Sequence, residues 1–197
     1  MTTSAFPTRI GFPEALAIVQ AVATRRRTEI ETIAIRRADG RVLAEDIVAP
    51  VALPPFDNSA MDGFALRHAD VGDAGGELVL AGEQFAGPDL GLVLAPGQCV
   101  RITTGAPLPQ GADTVVARED VQLREGRVAI PPAVVRGGFV RRRGEDVQAG
   151  QTVLQAGQVL TPARIALAAA LGLDRLAVAA RPTVAVFASG DELVEPG

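Results

Sequence analysis

Glycine and proline constrain this chain more than any other feature, because between Val48 and Arg143 they cut the apolar residues into runs too short for amphipathic helices. The runs Glu77 to Ala81, Cys99 to Thr103, Asp113 to Ala117 and Arg127 to Ile130 have strand length, with turn-forming residues recurring at their ends. With 21 glycines and 14 prolines in 197 residues, the texture argues against a helical bundle and for mixed α/β structure with much β. Apolar residues make up 48% of the chain, enough to bury an ordinary core.

The flanks read differently. Phe12-Pro13-Glu14, followed by Ala15, Leu16, Ile18 and Val19, predicts a helix with proline at its first position and an acid in its first turn, running to about Thr24. Glu29 to Ile35 alternates polar with apolar over part of its length and predicts a strand with one wet face. A short helical turn is expected from Arg41 to Glu45. Thr161-Pro162 supplies a cap and first-turn pair for a helix through Ile165 to Leu171, stopped by Gly172. The apolar run Pro182 to Phe187, ending in Ser189-Gly190-Asp191-Glu192, has the form of a buried parallel strand feeding a loop. A strand begun there has no sheet to join within the chain, so a fragment of a larger protein is expected.

Charge and cysteine usage exclude several functions. A formal net charge of −4 offers no general field for a nucleic-acid backbone. One cysteine, Cys99, and one histidine, His68, leave no intramolecular disulfide and no multi-cysteine or His-clustered zinc site. A metal would therefore be held by oxygen. No membrane-length apolar run and no secretory leader pattern is present, which makes the cytoplasm the default expectation. Cys99 is expected to be a small buried residue, His68 to lie at the surface without a partner, and Arg25-Arg26-Arg27 to be a solvated helix end.

Four segments could carry chemistry. Pro54 to Ala65 places Asp57, Asn58, Ser59 and Asp62 within six residues, a density of oxygen ligands suited to Mg²⁺ or to orienting an oxyanion, although the same residues are ordinary turn formers. Arg101 to Asp113 puts hydroxyls at a strand end before a glycine turn; it lacks the Gly-Lys-Ser/Thr ending of a P-loop and is otherwise a β-turn. Arg141-Arg142-Arg143-Gly144-Glu145-Asp146 could grip an anion through a guanidinium fork or simply pair with itself. Ser189-Gly190-Asp191-Glu192 sits where a parallel strand would end, the place where open α/β sheets bind ligands.

Taken together, Phe56-Asp57-Asn58-Ser59-Ala60-Met61-Asp62-Gly63, Thr104-Gly105-Ala106-Pro107, Arg141 to Asp146 and Ser189 to Leu193 resemble, in order and separation, the molybdopterin molybdenumtransferase family, whose eukaryotic relatives include the E domain of gephyrin. The resemblance covers most of the chain and implies the N-terminal half of such an enzyme. It implies a discontinuous first domain (8–47 and 145–179) that serves dimerisation, its 8–26 helix packing on a third domain. A β-rich domain (48–144) would be inserted in it, and 180–197 would begin a truncated α/β molybdopterin-binding domain. The implied reaction inserts molybdate into adenylylated molybdopterin with release of AMP, assisted by Mg²⁺. Asp62, Thr104 and Glu192 become the catalytic candidates, with Asp62 and Glu192 as metal ligands, and Arg141, Asp146 and Ser59 as substrate-binding residues. The implied partners are a second copy of the chain and a molybdopterin adenylyltransferase. Two other readings are a non-catalytic dimerisation or docking module and a generic anion-binding α/β protein.

Overall fold

The structure, a computed structural model, describes residues 10–25, 28–185, 192 and 194. In chain order its regular elements are α1 (Phe12–Arg25), β1 (Ile30–Ala34), β2 (Ile47–Val48), β3 (Asn58–Ser59), β4 (Gly63–Leu66), β5 (Gly76–Gln84), β6 (Gln98–Ile102), β7 (Thr114–Ala117), β8 (Gln122–Arg124), β9 (Arg127–Ile130), β10 (Val140–Arg141), β11 (Thr152–Leu154), α2 (Pro162–Ala170) and β12 (Arg175–Ala179), with short 3₁₀ turns between some of them. The expected mixture of few helices and many short strands holds. All four strands foreseen between residues 48 and 143 form, as do both helices.

The chain divides into two compact units. The larger, Asp46–Gln155 with Ala166–Leu173, contains a six-stranded sheet in the order β7-β4-β6-β5-β9-β8. Only β5 and β6 run parallel; the other neighbours are antiparallel, so the sheet is mixed. Strand β4 is buried at every position because neighbours flank it on both edges and side chains cover both faces. Phe64, Leu66, Leu78, Cys99, Val116 and Val128 form the centre of the main apolar cluster. On the other face Ala65, Ile102, Ala106 and Val115 form a second. Their burial removes apolar surface from water, the dominant favourable contribution to this fold.

Two further strand pairs complete this unit: β3 with β10, and β2 with β11. Because β11 pairs with β2 and Val147 bridges to Leu53, residues 145–155 sit with the β-rich unit. The smaller unit comprises the described residues up to Glu45, Ala156–Ile165 and the described residues from Asp174. Its centre is the antiparallel pair β1–β12, with Ile30 opposite Ala179 and Ala34 opposite Arg175. Ile33, Leu43, Leu160, Leu176 and Val178 are buried there.

Three local expectations are corrected. Arg41 to Glu45 is not helical; Val42 and Leu43 form β-bridges to Val159 and Val178, non-local partners that outweigh local helix propensity. Residues 181–185 form no strand and 182–185 are exposed, while Val186 and Phe187 lie outside the described residues. A strand is stable only where a neighbour accepts its backbone hydrogen bonds, and none lies beside this segment among the described residues. His68 is half-buried, its Nε2 within 2.8 Å of the Val134 carbonyl oxygen and its backbone N–H donating to Asp113.

Candidate functional site

Three of the four segments converge in the β-rich unit. Strand β3 lies in the first, β10 in the third, and they pair with Val140 opposite Ser59 and Arg141 opposite Asn58. The second segment joins through its backbone: Ser59 N–H donates to Ala106 O at 3.1 Å, Gly105 N–H to Ser59 O at 2.8 Å, and Leu108 N–H to Asp57 O at 2.9 Å. A turn closed by Ala106 N–H to Thr103 O, with Gly105 at φ +80°, places Thr104 at its tip. Glycine suits that third position because a side chain rarely adopts a positive φ.

At that tip Thr104 meets Asp62. Oδ1 of Asp62 accepts from the Thr104 backbone N–H at 2.7 Å and from its Oγ1 hydroxyl at 2.8 Å. Both residues are exposed. The Thr104 amide, then its hydroxyl, hold the Asp62 carboxyl below the ordinary carboxylate range, with Arg118 and Arg101 adding weaker attraction. Asp62 is therefore a fixed carboxylate at neutral pH. No other hydrogen bond engages its second oxygen, Oδ2, among the described residues. The backbone carbonyl of Asp62 accepts from Arg118 N–H at 3.0 Å, which ties the loop to the start of the turn after β7.

The arginine segment is divided rather than shared. Arg141 donates to Glu145 and, at 2.6 Å, to Asp146. Arg142 reaches back to Asp57 Oδ2 at 2.7 Å, and Arg143 N–H donates to Asp57 Oδ1 at 2.8 Å. Asp57, singled out in the sequence only as one oxygen among several, is thus the brace between first and third segments. The Arg143 amide is the main cause of its lowered carboxyl pKa. A long-range pairing of this kind leaves no periodic signal. The Arg118 contact with Asp62 leaves none for the same reason.

Of the expected site residues, Asp62 and Thr104 touch each other, as do Arg141 and Asp146. Ser59 is buried, and its hydroxyl donates to the Met61 carbonyl at 2.6 Å, so it shapes the turn before Asp62 instead of facing a ligand. Glu192 is exposed in a turn; Ser189 to Asp191 and Leu193 lie outside the described residues. Arg25 is exposed at the end of α1, and Arg26 and Arg27 are likewise outside them. Cys99 is fully buried, as anticipated, and burial pushes its thiol up to about 12. It is no nucleophile. Among the described residues no three His, Cys, Asp or Glu side chains are grouped to hold a metal, and no helix is long and apolar enough to cross a membrane.

The structure defines a class of two-unit protein built around a mixed β-rich sheet, with a threonine-fixed carboxylate and an arginine segment braced by Asp57. Within that class the family described as the MoeA N-terminal region (domain I and II) matches residues 10–172, and the chain belongs to it. Similar curated proteins include molybdopterin molybdenumtransferase 2 of Mycobacterium tuberculosis, 46% identical over 170 residues, covering 84% of this chain and 42% of the relative. The molybdopterin molybdenumtransferase of Synechococcus elongatus is 37% identical over 190 residues, covering 94% and 47%. A crystal structure of the molybdopterin biosynthesis moeA protein of Pyrococcus horikoshii superposes with a TM-score of 0.74 at 35% identity, covering 78% of this chain and 42% of that one. The chain thus spans less than half the length of these relatives.

Proposed function

We propose that the chain is the N-terminal part of a molybdenum insertase acting in molybdenum cofactor biosynthesis. In the complete protein, adenylylated molybdopterin and molybdate are the substrates; the phosphoanhydride is cleaved, AMP leaves, and molybdenum is transferred to the dithiolene sulfurs. Turnover belongs to the complete protein rather than to this chain alone. The observation that carries the reading is the exposed Asp62 carboxylate fixed by two hydrogen bonds from Thr104, in a chain of the MoeA N-terminal family.

The residues support this chemistry in specific ways. Thr104 spends its amide and hydroxyl on one oxygen of Asp62, which leaves Oδ2 of the same carboxylate turned to other work. A hard cation such as Mg²⁺ suits that oxygen, since Mg²⁺ keeps several waters and takes only one or two carboxylates plus substrate phosphates. Bound there, it would neutralise charge on the phosphoanhydride. Arg141 meets an anionic substrate only by sharing the guanidinium now engaged by Glu145 and Asp146, so Asp146 positions Arg141. Ser59 holds the turn that aims Asp62. The proposed setting is a cytoplasmic homodimer supplied by a separate adenylyltransferase.

The test is AMP release from adenylylated molybdopterin by the complete protein. Asp62→Asn keeps the shape and removes the charge, and AMP release is expected to fall about a hundredfold, the lower end of the loss seen on removing one transition-state-stabilising group. An unchanged rate would remove Asp62 from the mechanism.

A further inference from the structure

Two adjoining hollows open on the smaller unit. One, of about 350 Å³, is lined by Glu31, Ile33, Arg37, Arg41 and Arg181. The other, of about 260 Å³, shares Arg41 and Arg181 and is walled by Val42, Ala179, Ala180 and Pro182 among others. The first is lined by three arginines and one glutamate, of which Arg41 pairs with Glu31, in a chain whose formal net charge is −4.

The three arginines are not equivalent. Arg41 has a side chain only 10% exposed, paired with Glu31 and donating to the Ala179 carbonyl at 2.7 Å. Arg37 and Arg181 are exposed, and neither makes an ion pair among the described residues. Their backbone positions are held firmly. Arg37 ends a 3₁₀ turn, Arg41 N–H closes the following turn on Ala38 O at 3.0 Å, and Ala180 N–H, next to Arg181, donates to Glu29 O at 2.7 Å. Holding like charges around one concavity costs electrostatic free energy and focuses a positive field there. A bound dianion would offset that cost, and guanidinium forks match phosphate oxygens in pairs.

We propose that this pair of hollows binds a phosphate dianion, carried by a small phosphomonoester whose apolar part occupies the hollow walled by Val42, Ala179, Ala180 and Pro182. Arg37 and Arg181 grip the phosphate, Arg41 fixes the floor, and Glu31 keeps Arg41 in place. A phosphomonoester carries close to two negative charges near neutral pH, matching the excess of two guanidiniums over the single carboxylate.

Isothermal titration of the chain at low ionic strength, where screening is weakest, tests this with phenyl phosphate, inorganic phosphate and benzyl alcohol as probes. Phenyl phosphate is expected to bind once per chain and about tenfold more tightly than inorganic phosphate, with benzyl alcohol silent, because an aromatic body adds apolar burial. The double variant Arg37→Ala, Arg181→Ala should weaken phenyl phosphate at least about tenfold, the scale of losing charge-assisted hydrogen bonds. Lysine at both positions should restore part of it. Equal affinity for the two phosphates would assign the site to the free anion and remove the apolar hollow from the proposal. Absence of saturable binding, or undiminished binding by the double alanine variant with an unchanged thermal transition, would overturn it.

Discussion

An aspartate at a loop tip is ordinarily solvated and free to rotate, yet Asp62 is held because Thr104 gives both an amide and a hydroxyl to the same carboxylate oxygen. The larger of these effects is the backbone N–H, which no side-chain substitution removes. Thr104→Val is therefore expected to raise the Asp62 titration midpoint only part of the way back to its ordinary value, read by carboxyl-carbon NMR. Because the folded carboxyl is depressed, the pair's contribution to stability is present above the unfolded Asp value and is lost as pH falls through the lower folded one. The valine variant should lose stability over that acidic window to a smaller extent than the parent. An unmoved midpoint would mean that the hydroxyl does not donate to Asp62 in solution. Thr104→Ser, which keeps the hydroxyl, should leave it in place.

Among the described glycines, the one with least room for a side chain is Gly63, where β4 begins. A Cβ added there would lie 2.0 Å from the Val116 carbonyl oxygen and 3.1 Å from the Ala117 Cα, both backbone atoms that cannot rotate aside. Gly63→Ala should therefore force β4 away from β7 and destabilise the unit by about 3 kcal/mol, the upper range of overpacking. Gly76→Ala on β5 is the control, since its nearest neighbour would be a Val71 methyl at 3.9 Å; a change within about 0.5 kcal/mol is expected. Urea unfolding midpoints compare the two, and equal effects would show that β4 and β7 have room to relax. Gly63 also marks the limit of what local sequence signals reveal. The strands β5, β6, β7 and β9 were visible because apolar runs ended at glycine or proline, a local signal. Strand β4 is hidden because it continues directly from the Asp62 loop. Strand β12 is hidden because Leu176, Ala177, Val178 and Ala179 give little polar contrast, and its partner β1 lies near the other end of the chain. The same non-local character concealed the site's geometry: Asp62 and Thr104 are 42 residues apart, and Asp57 and Arg142 are 85. Residue type marked Asp62 and Thr104 as candidates, the family resemblance ranked them, and only the sheet brings them together.

At the scale of the molecule, α1 poses the remaining question. It forms where proline, an early acid and a helical apolar stripe specify it, yet none of its residues is buried. Phe12, Leu16 and Val19, spaced along one face, are 79%, 43% and 64% exposed. A helix of 14 residues is marginal in water without tertiary packing, and an apolar stripe of this kind marks a surface that another molecule or segment covers. If the covering surface is a second copy in the proposed homodimer, light scattering should give about twice the 20.4 kDa chain mass. The substitutions Leu16→Glu and Val19→Glu should then halve that mass, because each places an unpaired charge in the interface. The thermal transition of the β-rich unit should not move, since neither residue contributes to its core. A monomer in the parent chain, with α1 amides exchanging at the rate of an unstructured peptide, would instead separate α1 from dimerisation. The stripe would then have to be covered by sequence beyond these 197 residues, as expected if the 8–26 helix packs on a third domain, and the same mass measurement on a longer chain would decide it.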